Sequence, residues 1–174
     1  PGRTTNPRCR SGIMRLKTLV LGLFCFTLFS FVEKEPAETT FKCLIQITNY
    51  SGEGAYVVVS LINPEGEYEK TLLVQGDDEE WYPDLTGWWE QQKVKNENID
   101  GIAGATVGAG GRGIGSFKIA QDKIDSGYKL RFETAVEDQK YYQDDLMIPL
   151  DQASLNGKFA GKGYIRYVRL MASN

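Results

Sequence analysis

The sequence has 174 residues, 41% of them hydrophobic and 25% charged, with a net charge of −3, which suits one globular domain with a tail. It contains no histidine, which excludes the commonest general base, the usual serine and cysteine triads, and histidine-based zinc or copper sites. From Glu38 onward, 14 Lys and Arg stand against 21 Asp and Glu, a net of −7; so acidic a surface argues against nucleic acid as a partner.

Residues 1–13 are polar, basic and patternless. Met14 opens a different text: a short basic stretch, the apolar run TLVLGLFCFTLFSFV from Thr18 to Val32, and the polar exit Glu33-Lys34-Glu35-Pro36. That is the layout of a signal peptide, and the run is short for a membrane-spanning helix. The expected organisation is therefore upstream read-through over 1–13, a signal peptide over 14–37 and a periplasmic domain over 38–174, with an uncleaved anchor as the alternative. Cleavage is expected between Ser30 and Glu38. Of the three cysteines, Cys9 and Cys25 precede this domain. Cys43 is left without an internal partner and reads as a small buried apolar residue.

In the domain, Phe41, Cys43, Ile45 and Ile47 alternate with polar residues and predict a half-buried strand. Tyr56–Ile62 is a second, β-branched strand. Asn63-Pro64-Glu65-Gly66 is a turn, and Tyr68–Val74 returns as a third strand. The acidic run Asp77–Glu80 reads as a solvated turn, since its spacing matches no calcium loop. Residues 81–95 predict the one helix, capped by Asp84, with Leu85, Trp88, Trp89 and Gln92 on one face. Trp88 and Trp89 either cover one end of the core or wall a flat ligand ring.

Asp100–Gly115 follows, sixteen residues of which seven are glycine. It predicts a long functional or flexible loop. Strands are then expected over Ser116–Ala120, Tyr128–Val136, Leu146–Leu150, with Pro149 marking an edge, and Tyr164–Met171. In the strand from Tyr128, Lys129, Arg131 and Glu133 are expected to face outward. Seven or so strands, one short helix and no βαβ alternation predict an all-β fold, an immunoglobulin-like antiparallel β-sandwich.

Two motifs compete within the loop. Gly108–Gly113 matches GxGxxG in letters, but that motif grips a dinucleotide only where a strand turns into a helix, and here a strand is expected to follow. Asp100-Gly-Ile-Ala-Gly-Ala-Thr106 is the sharper signal. It resembles the Asp-x-x-[Ser/Thr]-Gly-Ala-[Thr/Ser] sequence at which bacterial FMN transferases attach flavin mononucleotide to exported proteins. The resemblance makes Thr106 the acceptor, Gly104 and Ala105 the small residues before it, and Asp100 the leading acid; Ala103 departs from the usual Ser or Thr. Small neighbours let a backbone approach a bulky nucleotide, and a bound cofactor would give a histidine-free chain redox chemistry. The same letters also suit a plain tight turn with its threonine bonded to nearby backbone.

The order of the strands, Trp81-Tyr-Pro-Asp-Leu85, Trp88-Trp89 and Asp100–Thr106 resembles the bacterial periplasmic family called domain of unknown function 2271, over about residues 42–151. Where that family has prolines after its Gly-Ala-Thr, this chain has Val107 and more glycines. The resemblance implies a periplasmic β-sandwich in the company of FMN transferases and membrane redox proteins. Two functions follow as expectations. One is an exported redox-accessory or electron-transfer protein carrying covalent FMN on Thr106, with Trp88, Trp89 and Tyr82 available to the ring. The other is a non-catalytic immunoglobulin-like binding or scaffold domain. No catalytic constellation of its own is evident, since the acidic pairs Asp77–Glu80 and Asp144-Asp145 read as turns.

Overall fold

A computed structural model describes residues 1–2 and 36–173. The upstream segment and the leader expected from the sequence lie almost wholly outside these residues. From Pro36 the chain forms one compact unit of two packed β-sheets.

One sheet has the order β5-β1-β9-β8, from Arg112–Ala120, Glu38–Ile47, Ile165–Ser173 and Lys158–Phe159; the other has the order β4-β3-β2-β6-β7, from Ala103–Gly104, Tyr68–Gln75, Tyr56–Ile62, Lys129–Ala135 and Tyr142–Pro149. All pairings are antiparallel except β3 with β4. The expected all-β sandwich is thus the fold. Pro149 does lie on an edge strand, β7.

The core between the sheets is built by the alternation read from the sequence. Phe41, Cys43, Ile45 and Ile47 from β1 meet Val57, Val59 and Leu61 from β2, with Leu130 and Phe132 from β6. Burial pushes the Cys43 thiol up to about 12, so it packs as an inert apolar group.

The glycine-rich segment is shorter as a loop than its composition suggests. Arg112–Gly115 belongs to β5 and pairs with β1, with Ile45 opposite Gly113 and Cys43 opposite Gly115. The period of two is present there, but its inward positions are glycines. A Cβ on Gly115 would sit 2.5 Å from Leu73 Cδ2, and one on Gly113 would sit 2.8 Å from Val107 Cγ2 and 2.9 Å from Gln75 Oε1. The missing side chains are replaced by those of the facing sheet, so the two layers approach closely here. Gly115→Ala is expected to cost about 1–3 kcal/mol through overpacking. The check is a lower urea midpoint with an unchanged slope.

The other face of the five-stranded sheet carries a helical layer. A 3-10 helix over Glu79–Asp84 runs into α1, Thr86–Lys95. The expected single helix is therefore split, and Asp84 does not cap it. Pro83 sits inside the first piece, Asp78 caps that piece by accepting from Glu80 N at 3.0 Å, and Leu85 holds the N-cap of α1 without a side-chain bond. Tyr82, Leu85 and Trp88 pack on Tyr56, Val58 and Val74 to form a second core. That layer covers the face on which Lys129, Arg131 and Glu133 were expected to meet water: Glu133 is fully buried, Arg131 half-buried and only Lys129 exposed.

Candidate functional site

The start of α1 is completed from elsewhere in the fold. A helix N-terminus leaves backbone N–H groups without partners. Here Gly87 N donates to Tyr141 Oη at 3.0 Å and Trp88 N donates to Glu133 Oε2 at 3.1 Å. The Tyr141 hydroxyl in turn donates to Glu133 Oε2, and Arg131 pairs with Glu133 Oε1 at 2.7 Å. Burial raises the Glu133 pKa, opposed by the Arg131 charge and by its hydrogen bonds. Burial and Glu133 together raise that of Tyr141. This cluster holds the helix to the sheet.

The arrangement decides between the two roles open to the tryptophans. Trp88 is fully buried, edge-on to Tyr82 at 5.2 Å, and its Nε1 donates to Thr71 Oγ1 at 2.8 Å. It is a core residue, and no ligand ring can lie against it. Trp89, one residue on, is half-buried and faces a groove.

That groove, of about 520 Å³, runs beside α1 and the segment after it. Tyr82, Trp89, Gln92 and Ile99 line it together with the carboxylates of Glu79, Glu97 and Asp100 and the ammonium of Lys93. Asp100 and Trp89 are thus brought together. Gly104, Ala105 and Thr106 do not line it.

From Asp100 the chain climbs the edge of the five-stranded sheet. Asp100 N donates to Asn98 Oδ1 at 3.0 Å, and Ile102 N and Ala103 N donate to Ile99 O at 2.9 and 3.0 Å. Ala103 and Gly104 then pair with Val74 and Gln75 as β4. Past Thr106, Val107 and Ala55 exchange two backbone hydrogen bonds of 2.8 and 3.0 Å. Ala105 is exposed and Thr106 half-buried. A Cβ on Gly54 would come within 2.6 Å of Thr106 Oγ1, so glycine at 54 keeps the space beside that hydroxyl. Two anchored ends make Ala105-Thr106 a short step held on both sides, with Ala105 exposed and Thr106 half-buried, rather than the middle of a long loop.

The GxGxxG letters make no nucleotide site. Gly110 adopts φ +68 and packs on Asn49, and the chain then enters strand β5 rather than a helix. Asp145, expected in an acidic turn, lies in β7 and is fully buried. It accepts from Thr134 Oγ1, Lys162 N, Gly163 N and Ile165 N at 2.7 to 2.9 Å. Its neighbours Gly161 and Gly163, where a Cβ would meet a carboxylate oxygen at 2.5 and 2.9 Å, were the available signal for this role. Among the described residues, no group of three or more His, Cys, Asp or Glu is placed to hold a metal ion, and no helix is long and apolar enough to cross a membrane.

These features define a class: a two-sheet β-sandwich roofed by one helix, with a groove lined by aromatic and acidic residues and a half-buried threonine on a short anchored step. The chain belongs to the family described as predicted periplasmic protein (DUF2271), whose model matches residues 38–167. The periplasm expected from the leader is the compartment of this family. No curated protein and no solved structure matches the chain significantly.

Proposed function

We propose that this protein is a periplasmic redox-accessory carrier, with flavin mononucleotide joined through its phosphate to Thr106 Oγ1. The observation that supports the reading is the fixed backbone on both sides of Thr106. Its backbone is fixed by β4 on one side and the Ala55 bridge on the other, its neighbour Ala105 is exposed, and Gly54 leaves room at the hydroxyl. A tether on rigid backbone costs little further ordering when a bulky group is attached. The flavin would supply the electron chemistry that a chain without histidine lacks. Trp88 drops out of the ring-packing role, and the carboxylates around Trp89 make that groove a poor seat for an anionic nucleotide. The cofactor would therefore be held by its tether and exposed to partner proteins.

The test is co-expression with an FMN transferase, read by intact mass and visible absorbance. The wild-type protein is expected to gain one flavin, Thr106→Ser to retain it, and Thr106→Ala to lose it. Gly54→Ala is expected to lower both loading and the melting temperature, because its Cβ would come within 2.6 Å of Thr106 Oγ1 and 2.8 Å of Thr106 Cβ. An unloaded wild type, where a known acceptor is loaded, refutes the reading and leaves the non-catalytic binding domain in its place. Equal loading of Thr106→Ala refutes the site.

A further inference from the structure

Charge is divided unevenly over the domain. The strands β1, β5, β8 and β9 carry Lys42, Arg112, Lys118, Lys158, Arg166 and Arg169 but a single carboxylate, Glu38. The rest of the domain from Glu38 onward has 8 Lys and Arg against 20 Asp and Glu. A sheet of net +5 thus sits on a body of net −12. All six cations are exposed. Lys42, Arg112, Lys118 and Arg169 alternate with the buried Phe41, Cys43, Gly113, Phe117 and Leu170, so they stand on the outer face of the sheet. The helical layer packs on the other sheet and leaves this face open.

Strand register sets the layout of the charges. Lys158 lies opposite Arg169, Arg169 opposite Leu44, and Leu44 opposite Ile114. Like charges directly across two strands repel. Among the described residues, the one ion pair on this sheet joins Lys118 to Glu38 at 3.3 Å, so no carboxylate relieves that repulsion. The next row is Arg112, Gln46 and Tyr167. Arg112 Nε donates to Gln46 Oε1 at 2.6 Å, and Lys158 Nζ lies 3.9 Å from the centre of the Tyr167 ring. Ile114 is 68% exposed in the midst of these rows.

This layout points to the shape of the partner. The cations are spread over four strands, about 14 Å across, rather than gathered around one point. That spread suits many anionic groups held in a plane. A flexible polyanion wrapping the domain would also meet its acidic body. A plane meets one face alone, and groups beyond the second sheet lie a sheet spacing of about 10 Å further off, where salt screens them. An exposed aliphatic side chain among cations, with a tyrosine beside them, has the make-up of an interfacial surface.

We propose that the outer face of the four-stranded sheet docks on a membrane surface of anionic lipid headgroups. Lys42, Arg112, Lys158 and Arg169 meet the headgroups, and Ile114 enters the interface. The docking is independent of flavin at Thr106.

The compact unit from Pro36 onward, free of the leader, is sedimented with vesicles. One set contains phosphatidylcholine with phosphatidylglycerol, the other phosphatidylcholine alone. Binding to the anionic set is expected to be at least tenfold tighter and to fade as salt rises. Lys158→Glu combined with Arg169→Glu is expected to weaken it more than tenfold, at about fivefold per cation removed. Ile114→Ser is expected to weaken it several-fold, and Lys93→Glu, on the helical layer, to leave it unchanged. These positions are exposed, and matching melting curves separate lost binding from lost fold. Lys42→Glu keeps the test decisive should the double variant melt early. Equal binding to both vesicle sets, binding to neither, or full binding by the charge-reversed variants each overturns the proposal. Binding of poly-glutamate without binding of anionic vesicles also overturns it, and assigns the face to an acidic protein.

Discussion

Asp145→Ala is expected to lower the unfolding free energy by about 3–5 kcal/mol, among the largest effects of any single change in this domain. The carboxylate lies in β7 of the five-stranded sheet, yet three of its four donors, the backbone N–H groups of Lys162, Gly163 and Ile165, belong to the run that enters β9 of the other sheet. It is a clamp between the layers, made at their edge. Alanine removes the acceptor from Gly163 N, Ile165 N and the Thr134 hydroxyl at once, while Lys162 N keeps its second bond, to the Asp145 carbonyl at 2.9 Å. Water can reach the partly buried donor of Gly163 more easily than the buried donor of Ile165, so the loss is less than the sum of full penalties. Asp145→Asn keeps the shape but turns an N–H₂ toward backbone N–H groups, and is expected to lose roughly half as much. Urea unfolding checks both: the midpoint falls and the slope stays constant. A shift below about 1 kcal/mol for Asp145→Ala would show that the clamp is dispensable.

Trp88→Ala is expected to cost a similar about 3–5 kcal/mol, but with a different distribution. Trp88 belongs to the core between helix and sheet, whereas Phe41, Ile45 and Phe132 belong to the core between the sheets. Its removal opens a cavity under α1 and ends the indole hydrogen bond to Thr71. Amide hydrogen exchange should therefore show protection lost first and most across residues 79–95, with β1, β2 and β6 less affected. Trp88→Phe keeps most of the packing and is expected to recover more than half of the loss. If protection falls evenly over both layers, the two cores unfold as one unit. Flavin loading at Thr106 is expected to survive in the folded fraction of either variant, since Trp88 plays no part in that site.

The strands that bury one face against the other sheet were legible because alternation of the Phe41-Cys43-Ile45 kind is the direct record of a half-buried strand. The face opposite was harder to read. Glu133 and Arg131 carry the letters of a solvent face, and only the docked helix takes them out of water; nothing local announces that. Arg112–Gly115 hid its strand for the inverse reason. Its inward positions are filled by Leu73 and Gln75 of the partner sheet, so the residues that would mark the alternation are not on that strand. The two-residue strands β4 and β8 exist only through pairing and leave no period to find. At the candidate site, Thr106 and Trp89 could be named from the sequence. The separation of Trp88 from Trp89 into core and groove depends on the rotation of a helix that packs through three-dimensional contacts.

The tertiary capping of α1 bears on the order in which an exported chain takes shape. The chain is synthesised from its N-terminus, so residues 86–95 are made before Glu133 and Tyr141, which supply the partners for Gly87 N and Trp88 N. Ten residues without a local cap are too few to hold a helix in water. The segment therefore waits, with Trp88 uncovered, until β6 and the hairpin into β7 have followed it. During that interval, Trp88 and Trp89 stay open to water, and the closing of the helical roof marks the end of that exposure.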